Sequence, residues 1–123
     1  MRQIRIRIHF SLLKKPMPAI EIRDAIHTRI TLTSREREVL DHPYVQRLRH
    51  IRQLGFVPLV YPSATHDRFS HALGAMHVAG RLAQEVLDND ALSVLSRILA
   101  PSEKKFFASI LRLAGLLHDI GHA

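Results

Sequence analysis

Residues 118–122 read His-Asp-Ile-Gly-His, two imidazoles and a carboxylate within five positions. They close a largely apolar stretch. In it Phe106, Ile110, Leu113 and Leu117 form one helical stripe, and Phe107, Leu111 and Ala114 form another. Ionisable groups at the end of a buried helix are costly unless they are bound to something. His118 continues the second stripe, so its ring is expected to point inward, and His122 shares that face if the helix persists. Imidazole nitrogen beside carboxylate oxygen suits Mn, Fe, Zn or Mg. A capping Asp with two satisfied core histidines is the plainer reading of such a pair, and a second His-rich segment weighs against it.

That segment is His66-Asp67-Arg68-Phe69-Ser70-His71, where a helix over about 69–87 begins. A helix N-terminus favours phosphate through its free N–H groups and its dipole. Arg68 adds a forked donor matched to phosphate oxygens. Periodicity alone leaves open whether His71 faces the core or ends the helix as a polar residue, and whether Arg68 is a surface charge. His9, His27, His42, His50 and His77 read as structural or solvated.

Positioning these groups falls to a series of short elements. Residues 20–33 carry two β-branched runs around Asp24 to Thr28, which predicts a small hairpin. Ser34 has helix-cap chemistry ahead of a short helix over 36–40. Pro43 suits the first turn of the next helix, in which Tyr44, Leu48 and Ile51 share a face. Gly55 and Pro58 end that helix, and a loop runs over 56–68. In the 69–87 helix Leu73, Met76, Gly80, Ala83 and Leu87 make a core stripe. A short apolar segment, Leu92 to Leu99, precedes Pro101, and Ser102 is a candidate cap for a last helix from Glu103 to about Ile120. Apolar on several sides, this last helix is expected to be central and buried.

The 123 residues suffice for one small core, and 46% hydrophobic content points to a packed body. No cysteine is present, which excludes disulfides and thiolate metal sites and is compatible with a reducing compartment. Nine histidines exceed ordinary structural need, and the formal net charge of +7 favours anionic partners such as nucleotides or nucleic acid. No apolar run approaches the ~20 residues that a membrane-spanning helix needs, so a cytoplasmic location is expected. Residues 1–19 stand apart as a basic arm. Ile4, Ile6, Ile8 and Phe10 alternate with polar residues there, and Pro16 and Pro18 mark the boundary with 20–123.

Four blocks in order, 22–32, 41–55, 61–80 and 113–123, resemble the HD superfamily of metal-dependent phosphohydrolases, and most nearly its deoxynucleoside triphosphate triphosphohydrolases. The resemblance implies a mainly α fold, an HD-domain helical bundle with a small N-terminal β-hairpin, of which this chain is the N-terminal part. By position, it implies that His71, His118 and Asp119 are metal ligands and that Arg68 and His122 are catalytic residues contacting substrate phosphate. Gln53 and Leu54 would lie near the nucleotide sugar. Asp41, Gln46 and Arg49 would match a nucleotide-effector site. The implied reaction cleaves a deoxynucleoside triphosphate to deoxynucleoside and triphosphate. A homo-oligomer is plausible for the full-length protein. A fourth ligand, a distal Asp, would lie beyond Ala123, so residues 1–123 alone are expected to bind metal weakly and turn over little. Arg23 stands where the family often has Asn, and Thr28 where it often has Gly; these departures bear on effector binding more than on catalysis. Asp67 and Ser70 also differ from the usual residues of their block.

Three other readings are open to the same residues. One is an HD phosphohydrolase acting on nucleoside monophosphates or guanosine alarmones. Another is a zinc protease, because His118 and His122 have the spacing of H-E-x-x-H, although Asp119 replaces Glu and Gly121 loosens the helix. The third is a non-catalytic or decayed HD module that binds nucleotide or nucleic acid through its basic surface.

Overall fold

The computed structural model describes residues 20–89 and 94–122, so the 1–19 arm lies outside the described residues. Two strands, β1 (Ile20–Asp24) and β2 (Thr28–Leu32), pair antiparallel with Ile22 opposite Ile30. The period-two pattern sends Ile30 and Leu32 fully into the core and leaves Arg29 and Thr31 exposed. At the tip, Asp24 Oδ2 accepts from the N–H groups of Ile26 and His27 at 2.9 and 2.8 Å. Those backbone bonds, led by that from His27, outweigh burial and hold the Asp24 carboxyl below its usual range. Thr28 has φ 64°, a left-handed conformation that a β-branched residue rarely adopts.

Helix α1 (Ser34–Leu40) is capped by Thr33 rather than by Ser34. Thr33 Oγ1 accepts from the Glu36 N–H at 3.3 Å, and the Glu36 carboxylate accepts from the Thr33 N–H at 2.8 Å. Pro43 opens α2 (Pro43–Gln46) as expected, but the chain tightens into a 3₁₀ turn over Arg47–His50. Of the expected Tyr44/Leu48/Ile51 face, Leu48 is fully buried and Ile51 packs against the core, but the change of winding leaves Tyr44 64% exposed and buries Val45, three before Leu48. A second 3₁₀ turn, Val57–Leu59, lies in the loop ahead of α3.

Helix α3 (Arg68–Asp88) begins at Asp67, whose carboxylate accepts from the Ser70 N–H at 2.7 Å. Leu73, Met76 and Ala83 of the expected stripe are buried, together with Phe69 and Ala72. After α4 (Val94–Ile98), α5 (Pro101–Leu117) packs along α3. Pro101 takes the first helical position and Ala100, not Ser102, is the cap residue; the Glu103 carboxylate accepts from the Ala100 N–H at 2.6 Å. The α3–α5 crossing is close because Gly115 has no side chain. A Cβ there would lie 2.9 Å from the Ala75 carbonyl oxygen.

The expectation that α5 is buried on several sides is corrected. Leu116 is fully buried, yet Phe106 is 67% and Ile110 47% exposed. Among the described residues, α3 and the elements beside it cover one side of α5, and nothing covers the flank that carries Phe106. One latch ties hairpin, α1 and α5 together. Arg112 on α5 pairs with the buried Glu36 carboxylate and donates to the Thr31 carbonyl at 2.8 Å. Burial alone would raise the Glu36 carboxyl pKa, and its bonds to Arg112 and Thr33 outweigh burial and hold it below the usual range.

Candidate metal centre

Helix α5 ends at Leu117, one residue before the His-Asp pair. His118 to Gly121 form a turn, closed by Ile120 N–H to the Leu117 carbonyl and His122 N–H to the Asp119 carbonyl, each at 3.1 Å. The helix therefore does not persist to His122, and the expected i, i+4 geometry of His118 and His122 is absent. The zinc-protease reading, which needs both rings on one helical face, loses its structural basis. The turn swings Asp119 inward beneath the first turn of α3 and leaves His118 half-exposed at the edge.

Two elements far apart in the chain meet here. His71 Nε2 on α3 lies 3.2 Å from His118 Nε2. Asp119 Oδ1 lies 3.3 Å from His118 Nε2, and its Oδ2 lies 4.0 Å from His71 Nε2. The three donor atoms all fall within 4.8 Å of one another. His122, exposed at the rim, brings its Nε2 to 3.6 Å from Asp119 Oδ1. Arg68 donates from Nη1 to Asp119 Oδ2 at 2.7 Å. Burial works to raise the Asp119 carboxyl pKa; the Arg68 hydrogen bond, then the charges of His118, Arg68 and His122, overcome it and hold the carboxyl below its usual range.

The tautomer of His118 follows from its second contact. Its Nδ1 lies 2.8 Å from the Gly115 carbonyl oxygen, which can only accept. Nδ1 therefore carries a proton, and when the ring binds a cation its Nε2 lone pair faces the same volume as His71 and Asp119. Two imidazole nitrogens and an ionised carboxylate aimed at one small volume are a donor set that fits a divalent cation. His71 and His118 retain side-chain exposure of 41% and 40%, which leaves a path for solvent or ligand.

The remaining residues singled out by sequence are distributed as follows. Arg68 is largely buried and engaged with Asp119. Gln53 joins the site region through its backbone, its N–H donating to the His66 carbonyl at 3.1 Å, while Arg68 N–H donates to the Ile51 carbonyl at 2.8 Å. Leu54 is 43% exposed. Gln46 and Arg49 are bonded to each other at 2.8 Å, and the Arg49 guanidinium lies 3.5 Å from the centre of the Phe69 ring. Asp41, in contrast, pairs with Arg37 at 3.4 Å. His27 and His77, read as structural, face each other with ring centres 4.8 Å apart, and burial, together with the charges of His27, Arg112 and Arg81, lowers the His77 pKa. Sequence reasoning missed two residues that shape the site. Gly115, next to Ala114 in an otherwise large apolar run, was the visible signal of a close helix crossing. Arg47 gave no local signal; its side chain donates to the Ile120 carbonyl at 2.6 Å.

In this helical body with a hairpin, one His from a helix start converges on a His-Asp pair at a later helix end. Residues 68–123 match the family model described as HD domain. An uncharacterised protein of Methanocaldococcus jannaschii is 39% identical over 80% of this chain and 22% of its own length. The deoxynucleoside triphosphate triphosphohydrolases SAMHD1 of Bos taurus and Homo sapiens are 41% and 37% identical, over 82% and 95% of this chain and 16% of their own lengths. A crystal structure of a hypothetical protein from Aquifex aeolicus superposes with TM-score 0.65 at 33% identity, covering 85% of this chain and 24% of that one. The chain thus spans less than a quarter of the length of these relatives.

Proposed function

We propose that this chain carries the metal-holding segment of an HD-type phosphohydrolase that cleaves deoxynucleoside triphosphates to deoxynucleoside and inorganic triphosphate. The observation that carries the reading is the convergence of His71, His118 and Asp119 from two helices onto one small volume, with Arg68 beside them. Similarity to deoxynucleoside triphosphate triphosphohydrolases supports the substrate class.

A divalent cation held by His71, His118 and Asp119 would supply Lewis acidity toward an α-phosphate oxygen. Asp119, kept ionised by Arg68, and His118, fixed by the Gly115 carbonyl, are aimed before any ligand arrives. Water attack at the α-phosphorus breaks the bond to the sugar 5′-oxygen, which leaves with a proton. His122, at the exposed rim, is the residue we assign to phosphate contact and to holding a proton near that oxygen. Arg68 balances negative charge as it accumulates on the phosphate. Gln53 and Leu54, at the turn tied to His66, are assigned to the sugar, and Asp41, Gln46 and Arg49 to a nucleotide effector.

The test is product analysis. The full-length protein, incubated with each deoxynucleoside triphosphate and Mn²⁺, is expected to release deoxynucleoside and triphosphate in equal amounts. Release of monophosphate and pyrophosphate, or turnover of guanosine alarmones alone, would assign the site to another branch of the superfamily.

A further inference from the structure

The turn that carries Asp119 lies beyond the last residue of α5, so no helical ladder fixes it. One main-chain bond, Ile120 N–H to the Leu117 carbonyl, ties it to the last residue of α5, and another, His122 N–H to the Asp119 carbonyl, closes it internally. The Ile120 carbonyl, adjacent to Asp119, lies three residues beyond the end of α5, outside its ladder of main-chain bonds. Among the described residues its partner is the Arg47 guanidinium, whose Nη2 donates at 2.6 Å across 73 positions of sequence. Arg47 itself stands on firm ground. Val45 is 1% and Leu48 0% exposed, so the backbone on both sides is locked into the core. Its Nε is buried without a hydrogen-bond partner, so the contact to the Ile120 carbonyl is made from Nη2 at the tip of the guanidinium.

Resting on the metal-centre reading above, we propose that Arg47 is a positioning residue of this centre: alongside the direct Arg68 bond to Asp119, it pins the 118–121 turn from outside and thereby helps set where the Asp119 carboxylate lies relative to the imidazoles of His71 and His118. The contact acts through the backbone and reaches none of the donor atoms. Groups that orient metal ligands typically change affinity 10–100-fold when removed. Arg112 provides the comparison. It also joins distant elements through a guanidinium, but its acceptors are Glu36 and Thr31, far in sequence from the turn.

The experiment measures Mn²⁺ affinity by calorimetry, and the melting temperature of the metal-free form, for full-length wild type, Arg47→Lys, Arg47→Met, Arg112→Lys and Asp119→Ala. Arg47→Met is expected to weaken Mn²⁺ binding by about tenfold or more and Arg47→Lys, which keeps one donor, by less. Arg112→Lys is expected to lower the melting temperature without weakening Mn²⁺ binding. If Arg47→Met fails to fold, Arg47→Lys against Arg112→Lys decides alone. Equal Mn²⁺ affinity in wild type and the Arg47 variants, or equal loss in the Arg47 and Arg112 variants, overturns the proposal. Wild-type Mn²⁺ binding by Asp119→Ala instead overturns the metal-centre reading, a separate failure.

Discussion

Asp119 is where the chemistry of the site concentrates, because one carboxylate meets a guanidinium on one oxygen and two imidazoles on the other. The Arg68 hydrogen bond is the main influence that lowers its pKa against burial. Arg68→Met therefore moves the Asp119 titration upward, measurable by carboxyl ¹³C NMR of the metal-free protein; an unchanged or lower titration contradicts the assigned cause. The sign for stability follows. A carboxyl with a depressed folded pKa contributes stability that is present above its unfolded value and is lost as pH falls through the folded one. At this scale type and adjacency singled out His118 and Asp119, whereas periodicity left the facing of His71 open and only the family resemblance named it as a ligand. The sequence was silent on the His118 tautomer, which depends on a backbone carbonyl, and it did not anticipate that Arg68 would be engaged by Asp119.

Element ends decide how these residues are presented. Gly115 serves twice, allowing α5 to cross α3 and lending its carbonyl to His118. Gly115→Ala puts a Cβ against the Ala75 backbone, which side-chain repacking cannot relieve, and is expected to cost about 1–3 kcal/mol in denaturant unfolding. It is also expected to weaken Mn²⁺ binding, and a neutral result on both counts would mean that the two helices yield freely. At the hairpin tip Thr28 adopts the left-handed region, where the resembling family often has Gly. Thr28→Gly relieves that strain and is expected to raise stability by about 1 kcal/mol, whereas a drop would show that the Thr side chain makes a compensating contact. Hairpin, α3 and the onset of α2 were readable because period two, period 3.6 and proline placement are local signals. The 3₁₀ turn after Gln46 was not, because burial of Val45 and Leu48, rather than any propensity, selects it.

Across the molecule, the fold depends on contacts that no local pattern encodes. Glu36 and Arg112 lie 76 positions apart, yet their pair joins α1 to α5 while Arg112 also reaches β2. The Glu36 carboxyl is held below the usual carboxylate range, so its contribution is full above the unfolded pKa and declines as pH falls through the lower folded value. Glu36→Gln is therefore expected to destabilise the protein at neutral pH and to flatten the acid limb of the stability curve. A variant curve parallel to wild type throughout would place the acid sensitivity elsewhere. The apolar flank of α5 was misjudged as buried because a stripe pattern reports which side chains seek a partner and not whether the described residues supply one. No described helix is long and apolar enough to cross a membrane.

The central claim is that His71, His118 and Asp119 bind one cation together. A crystal of the full-length protein grown with Mn²⁺, with data collected at the manganese absorption edge, addresses this directly. The account predicts one anomalous peak within coordination distance of His71 Nε2, His118 Nε2 and an Asp119 oxygen, abolished in Asp119→Ala. A peak bound elsewhere, or none at saturating Mn²⁺, would contradict it.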